Sequence, residues 1–384
     1  MSGLAVEIVT SEAALLALRV AWQELFDATS HPVPYLSPAW ALVWWKHFGG
    51  RTGLGPLGGL ARPRVLAVRD AGRLVGLAPL LEVRAGIGPA SVRTLVGMGQ
   101  ETADYGGVLL GPEPERVAPV LLDALDDELR DGRTVYDATW LAPDDPWASA
   151  LEDRYGAGPL TVRPLATESY PCLDLGAMAD PVRSVERLLK RNDVRRRWRR
   201  LDEAHGASFT NHRPGAAQED LATFLRLHDR RWAVMGRTPA GIFTPPAGRA
   251  FLAEAVEALD AAGILRISVV RAGGEPIGAR FGFECGGRYY GVKSGWDPSF
   301  GSFGPGHLVV GKILEQGAAE GMVGFDFMRG AGDHKAAWAD QERSVAYQVV
   351  APGGRRGPLL ERAMWSSFSL RTRRRGAGGV GAAA

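Results

Sequence analysis

Asp326, Arg329, His334 and Lys335 crowd into one short stretch, VGFDFMRGAGDHKAAW, Val323–Trp338. These residue types can run a proton-transfer and oxyanion chemistry. A histidine titrates near neutral pH and can take a proton from an attacking nucleophile, and a lysine can steady the charge that develops on a carbonyl oxygen. Asp326 lies in an apolar run that reads as a buried strand. A charge there needs a partner. It either closes an internal ion pair or faces a cleft, as residues at strand ends often do. Alternation expects Asp326 and Met328 on one face and Phe325, Phe327 and Arg329 on the other. An exposed loop histidine is often idle, so His334 keeps both readings.

Upstream lies Gly301–His307, GSFGPGH, before LVVGKILEQGAAEG, whose apolar residues recur at helical spacing. A glycine-rich turn entering a helix leaves backbone N–H groups free for an anion. Phe303, Gly304, Gly306 and His307 are therefore candidate phosphate contacts; the alternative is a plain tight turn. Tyr290, Lys293 and Trp338 could line the same cleft. In ETADYGGVLLGPEPE, Asp104 and Tyr105 are candidate substrate contacts, or an Asx-type turn.

The elements that must position these residues repeat. Leu265–Asp297 reads as an antiparallel meander with Gly-bearing turns. Arg64–Arg84 reads as a hairpin with its turn at Asp70-Ala71-Gly72. Val68-Arg69, Gly72 and Gly76 match Val270-Arg271, Gly274 and Gly278 at an offset of 202. Val135-Tyr136-Asp137 echoes Gly324-Phe325-Asp326, again after a helix. Two copies of one domain are expected. The fold class is α/β, with mixed, mainly antiparallel sheets flanked by helices. Domains are expected at 1–170 and 171–350, followed by a basic, Gly-rich tail, 351–384, with a short helix near Pro358–Leu370. Glu113 and Glu115 open the helix of the first copy and would repel a phosphate, so only the second copy is expected to hold a donor.

Strands are expected at 4–10, Val92–Met98, Thr134–Leu141, Ala207–His212 and Val345–Val350. Helices are expected at Glu12–Phe26, Arg116–Leu129, Glu219–Val234 and Pro246–Ala262, and Ala142–Ser169 reads as a loop-rich crossing. The aromatic stripe of Trp40, Trp44, Trp45 and Phe48 reads as core, although Tyr35 and Trp44 could face a cleft. Pro181–Gly206 reads as one basic helix with nine Lys or Arg between Arg183 and Arg200. It is either a solvated face or a contact for phosphate, nucleotide or tRNA.

Composition narrows the class. A net charge of +2 favours no bulk partner, and two distant cysteines exclude a disulfide framework or a Cys-type zinc site. No run is long enough to span a membrane, and no G-x-S-x-G, Walker A or H-E-x-x-H occurs. A cytoplasmic protein without a metal is expected.

The motifs PYLSPAW, GRLVGLAPL, ADYGGVL, YPCLDL, GEPIGARFGF, YYGVKSGWDPSF, GPGHLVVGKILE and FDFMRGAGDHKAAW, in this order, resemble the CelD/BcsL-type GNAT acetyltransferases. The chain is more distantly similar to the Fem-type aminoacyl-tRNA-dependent transferases. The resemblance implies tandem GNAT domains facing one another across a cleft. It also implies acyl transfer, most simply acetyl transfer, from acyl-CoA to an amine, on a small-molecule or glycan-precursor acceptor in polysaccharide or cell-envelope metabolism. Asp326, Arg329, Gly330, Lys335 and Trp338 match the family pattern, which implies that Lys335 stabilises the charged intermediate. His334 stands where tyrosine is usual. The family's donor loop begins with Arg or Gln, whereas Gly301 stands here, which leaves aminoacyl-tRNA open as donor through the basic helix 183–200. A catalytically degenerate GNAT-fold binding module is the third reading.

Overall fold

The computed structural model describes residues 3–50, 61–85, 92–100, 102–142, 144–236, 241–243 and 246–352. The expected tail and its helix therefore lie outside the described residues, apart from Ala351 and Pro352. The chain forms two compact units, one from residues up to Glu168 together with those from Ser344, the other Ser169–Arg343.

The first unit runs β1 (Ala5–Val9), α1 (Glu12–Ala17), α2 (Arg19–Ala28), α3 (Pro38–Phe48), β2 (Ala61–Pro63), β3 (Val65–Asp70), β4 (Arg73–Ala78), β5 (Leu80–Ala85), β6 (Val92–Gly97), β7 (Leu109–Leu110), α4 (Pro114–Leu129), β8 (Thr134–Leu141), α5 (Pro146–Tyr155) and the start of β9 (Leu160–Asp174), whose residues from Ser169 belong to the second unit. The expected single helix over Glu12–Phe26 is two helices meeting at Leu18. The expected crossing over Ala142–Ser169 is instead α5, capped by Asp145, and the long β9. Ser37 caps α3 at the Trp40 N–H, with Pro38 in the first turn. Tyr35, Trp40 and Trp44 are buried, so the aromatic stripe is core and neither Tyr35 nor Trp44 is turned outward.

The second unit runs α6 (Pro181–Arg191), α7 (Val194–His205), β10 (Ala207–Thr210), α8 (Ala217–Val234), α9 (Ala247–Ala261), β11 (Leu265–Ala272), β12 (Glu275–Cys285), β13 (Arg288–Trp296), α10 (Pro305–Ala319), β14 (Gly324–Asp326) and α11 (Asp333–Ala336), and the chain returns to the first unit as β15 (Gln341–Pro352). The expected continuous basic helix is broken between α6 and α7, where Asp193 takes a left-handed conformation, φ 58°. Helices α8 and α9 cover one face of the sheet through Phe224, Phe243 and Phe281. Leu189, Val194, Leu308 and Ile313 join Tyr289 and Phe325 in a core that brings α6, α7 and α10 to that sheet.

The two units share a plan. Val68 faces Gly76, and the next pair, Arg69–Leu74, skips Val75. Val270 faces Gly278, and Arg271–Pro276 skips Ile277. The bulges thus fall at equivalent positions, a feature that families keep because it sets strand twist. β6 and β8 pair in parallel as β13 and β14 do. The first unit differs at Pro79. Proline gives no N–H to a ladder, and the expected hairpin over Arg64–Arg84 splits there. β4 pairs with β3 and β7, whereas β5 pairs with β2 and β6.

Candidate active site

In the second unit β13 and β14 are registered only over Arg288–Gly324, Tyr289–Phe325 and Tyr290–Asp326. Beyond that point the chain after β14 turns to β9, with Phe327 N–H donating to Pro171 O and Gly330 N–H to Ser169 O. β13 instead continues along β12 and carries a bulge. Lys293 faces Phe281 and Gly291 faces Gly282, leaving Val292 unpaired. Two parallel neighbours that part, with an unpaired backbone residue just past the parting, offer hydrogen-bonding groups to an extended ligand.

The parted end leads to α10. Gly304 caps this helix at φ 66°, which favours glycine, and the Arg197 guanidinium occupies the space where a side chain on Gly304 would stand. The Gly304 N–H is bonded to Gly301 O and the His307 N–H to Gly304 O, and Pro305 has none to give. Of the amides expected to cradle a phosphate, Gly306 is left, beside the Trp296 ring. The expected turn Gly301–His307 begins inside a 3-10 helix, Pro298–Phe303, capped by Asp297. Phe303 packs on α7: Arg200 lies over its ring at 5.4 Å and His205 stands edge-on at 5.6 Å. The two stretches singled out for an anion, the basic segment and the glycine-rich turn, thus meet through Arg197 and Arg200. Arg197 Nε and His307 Nδ1 are buried and make no hydrogen bond among the described residues, although Asp193 Oδ2 stands 4.0 Å from Arg197 Nε. Burial, and then the Arg197 charge, lower the pKa of His307.

The other sequence candidates divide. Asp326, Tyr290 and Cys172 stand side by side in three adjacent strands. Asp326 is 1% exposed, and its Oδ1 accepts from Met328 N–H at 2.7 Å. Tyr289 and Phe325, one residue earlier in each strand, stack at 4.8 Å on the opposite face, so Phe325 and Asp326 alternate as expected. Lys335 Nζ donates to the carbonyls of Met328, Arg329 and Gly330 at 2.9, 2.8 and 2.9 Å. Its ammonium thus closes the loop after β14, and Arg329 enters through its backbone. Trp338 is 1% exposed and packs 5.9 Å from His307. His334 lies partly exposed at the start of α11. Partial burial, then the charges of Lys335, Arg231, Arg280 and His307, lower its pKa to about 4, so its ring is neutral at neutral pH. Lys293 is exposed on β13, and its charge helps hold His228, buried on α8, down at about 4 after burial itself. Asp104 and Tyr105 belong to the first unit, where Tyr105 is 4% exposed.

The sequence reading missed Arg231 and Arg280. Arg280 sits mid-strand in β12 at 7% exposure and donates to Ser294 Oγ and Gly291 O. Arg231, at the end of α8, donates to Ser294 O and lies 4.0 Å over the Trp296 ring. The available signal was an arginine inside the apolar run GEPIGARFGF. Together with Arg197 these groups make the site cationic. No cluster of His, Cys, Asp and Glu suited to a metal ion occurs among the described residues, nor does a helix long and apolar enough to cross a membrane.

Residues 189–336 match a sequence family described as an acetyltransferase (GNAT) domain. None of the curated protein sequences matches the chain. Among solved structures, FemX superposes with a TM-score of 0.61 at 12% identity, over 90% of this chain and 98% of its own. A conserved protein of unknown function from Bacteroides thetaiotaomicron gives 0.48 at 11% identity, over 90% and 100%. A tandem GNAT protein from the clavulanic acid biosynthesis pathway gives 0.39 at 15% identity, over 91% and 99%. The matched segment falls inside the second unit, and FemX shares the fold. Residues 189–336 thus match a GNAT acetyltransferase domain, and the chain as a whole shares the fold of FemX.

Proposed function

We propose that the second unit transfers an acyl group from acyl-CoA to an amine, the acetyl group being the simplest case. The observation that carries this reading is the parting of β13 from β14 beyond Tyr290 and Asp326, with the unpaired Val292 at its start and the cationic end of α10 beyond it. Arg197 Nε and His307 Nδ1, neither of which makes a hydrogen bond, suit phosphate oxygens. Arg197, Arg200 and the Gly306 N–H would hold the phosphates, and the Val292 backbone would meet the thioester. Acyl-CoA supplies the activated carbonyl. The amine nitrogen bonds to the carbonyl carbon, the carbon–sulfur bond breaks, and the sulfur leaves as thiolate. His334, neutral at neutral pH, takes the proton that the nitrogen gives up. Lys335, committed to three carbonyls, positions the loop carrying His334.

The Fem-type reading draws on the basic segment, but much of that segment is neutralised locally. Arg195 pairs with Glu186, Arg196 with Asp193 and Arg199 with Glu203. Arg191 donates to Ala337 O. Arg197 and Arg200, which turn toward α10, are enough for a pyrophosphate but few for a polynucleotide.

Calorimetry with CoA, joined to thiol release from acetyl-CoA in the presence of an amine panel, tests the proposal. Micromolar CoA binding and amine-dependent thiol release are expected. Absence of both would remove it.

A further inference from the structure

Several arginine side chains of the second unit meet acids. Arg230 pairs with Asp297, Arg249 with Asp229, Arg213 with Asp220 and Arg266 with Glu284. Arg231 and Arg280 do not. Among the described residues no carboxylate lies within ion-pair distance of either, although Arg280 is 7% exposed. Both approach one residue: Arg280 Nη1 donates to Ser294 Oγ at 2.9 Å and Arg231 Nη1 to Ser294 O at 3.1 Å. Aromatic faces complete the walls, Phe325 lying 5.3 Å from the Arg280 guanidinium and Trp296 4.0 Å from that of Arg231. The Nε of each is buried and has no acceptor. Two neighbouring guanidiniums in an apolar setting repel one another and are poorly solvated, a state that an incoming anion relieves. Burial, and for Arg231 the neighbouring Arg280 charge, push both pKa values down, Arg231 to about 10.

We infer that Arg231 and Arg280 form a recognition site for a carboxylate carried by the substrate of the second unit. The inference rests on the acyltransfer reading for its place, since Gly291 and Ser294 flank the bulge at Val292 where the thioester would lie. A guanidinium edge matches a planar carboxylate, and the aromatic walls favour a single flat anion over a hydrated phosphate. The phosphates of the donor already have Arg197 and the start of α10. The carboxylate belongs either to the acyl chain or to the amine acceptor.

The test uses the full chain. Thermal shift with succinate is compared with its neutral isostere succinamide, for wild type, Arg280→Met and Arg231→Met, and CoA affinity is measured separately on each. Succinate is expected to raise the wild-type melting temperature and succinamide to leave it unchanged. Each methionine variant should lose that response, with carboxylate affinity down at least about tenfold and CoA affinity kept. Should Arg280→Met fail to fold, Arg231→Met carries the same comparison. An equal response to succinate and succinamide, or a full response in the variants, overturns the inference while CoA binding leaves the acyltransfer reading standing. A carboxylate response without CoA binding removes that reading and keeps the site. Turnover then separates the sources. A preference for succinyl-CoA over acetyl-CoA that Arg280→Met abolishes assigns the carboxylate to the acyl chain. A preference for glycine over glycinamide that it abolishes assigns it to the acceptor. Neither preference overturns the inference.

Discussion

The Lys335 ammonium lies 2.9 Å from the carbonyl of Met328, a buried residue whose own backbone is left-handed at φ 61°. A non-glycine residue rarely adopts that conformation, and it persists where surrounding structure holds it. Two further carbonyls complete the grip on the loop between β14 and α11.

Lys335→Met should therefore lower stability as well as turnover. The lost charge-assisted bonds suggest about 2 kcal/mol, reduced by the partial exposure of the site and by any relief of strain at Met328. Urea denaturation of wild type and variant measures this. A variant of unchanged stability whose kcat alone falls would return Lys335 to the oxyanion role.

Gly306→Asp should weaken CoA binding by at least about tenfold, because a carboxylate would stand where the α10 N-terminus meets phosphate. The fold should survive, since an added Cβ would be 3.5 Å from the Trp296 ring, an ordinary contact. Gly304→Ala is the contrasting case. It forces a side chain into a φ of 66° and onto Arg197, so stability itself should drop by about 1 kcal/mol. Calorimetry with CoA and thermal melts of the two variants separate the effects.

Stability should fall as pH drops below the ordinary histidine range. His228 and His334 have folded pKa values near 4, depressed from 6.5. Between those values the unfolded chain binds protons that the folded chain refuses, so each step down in pH through that window favours unfolding. Well above pH 6.5 both rings are neutral in either state and the dependence flattens. Succinate should move the His334 titration upward by masking Arg231 and Arg280, and should move His228, which feels Arg231 after burial and Lys293, by less. Proton NMR of the histidine rings follows both groups, and a His334 pKa near 6.5 in the free protein would contradict the cationic site.

Changing Arg195, Arg196 and Arg199 to Gln should leave acyl-CoA turnover near wild type, since these side chains are 60%, 66% and 71% exposed and paired to acids. Filter binding at two salt concentrations should show weak tRNA affinity for both proteins. Each phosphate contact would add a log–log salt slope of about −0.7 to −0.9. Tight binding that the triple variant loses would favour the aminoacyl-tRNA donor.

What the sequence determined by itself was local order. Glycines in the turns and β-branched runs between them marked the hairpins, and their spacing at an offset of 202 marked a duplication, because turn chemistry and strand patterning act over a few residues; the equivalent bulges at Val75 and Ile277 emerged with strand pairing. Helices α8, α9 and α10 announced themselves by apolar spacing for the same reason. The break at Asn192–Asp193 and the strand over Leu160–Asp174 were decided by partners distant in sequence: Asn192 Nδ2 donates to Ala337 O, and Cys172 pairs with Asp326. The same holds for the site. His334 was legible as a titratable group, but its neutrality comes first from burial and then from the charges of Lys335, Arg231 and Arg280, which tertiary structure brings to it. Lys335 was legible as a charge, yet whether it faces a substrate or three carbonyls depends on how the loop after β14 closes. Arg280 was visible as an arginine inside an apolar strand. Whether an acid waits opposite depends on strand register and on the end of α8, and no local pattern of residues encodes either.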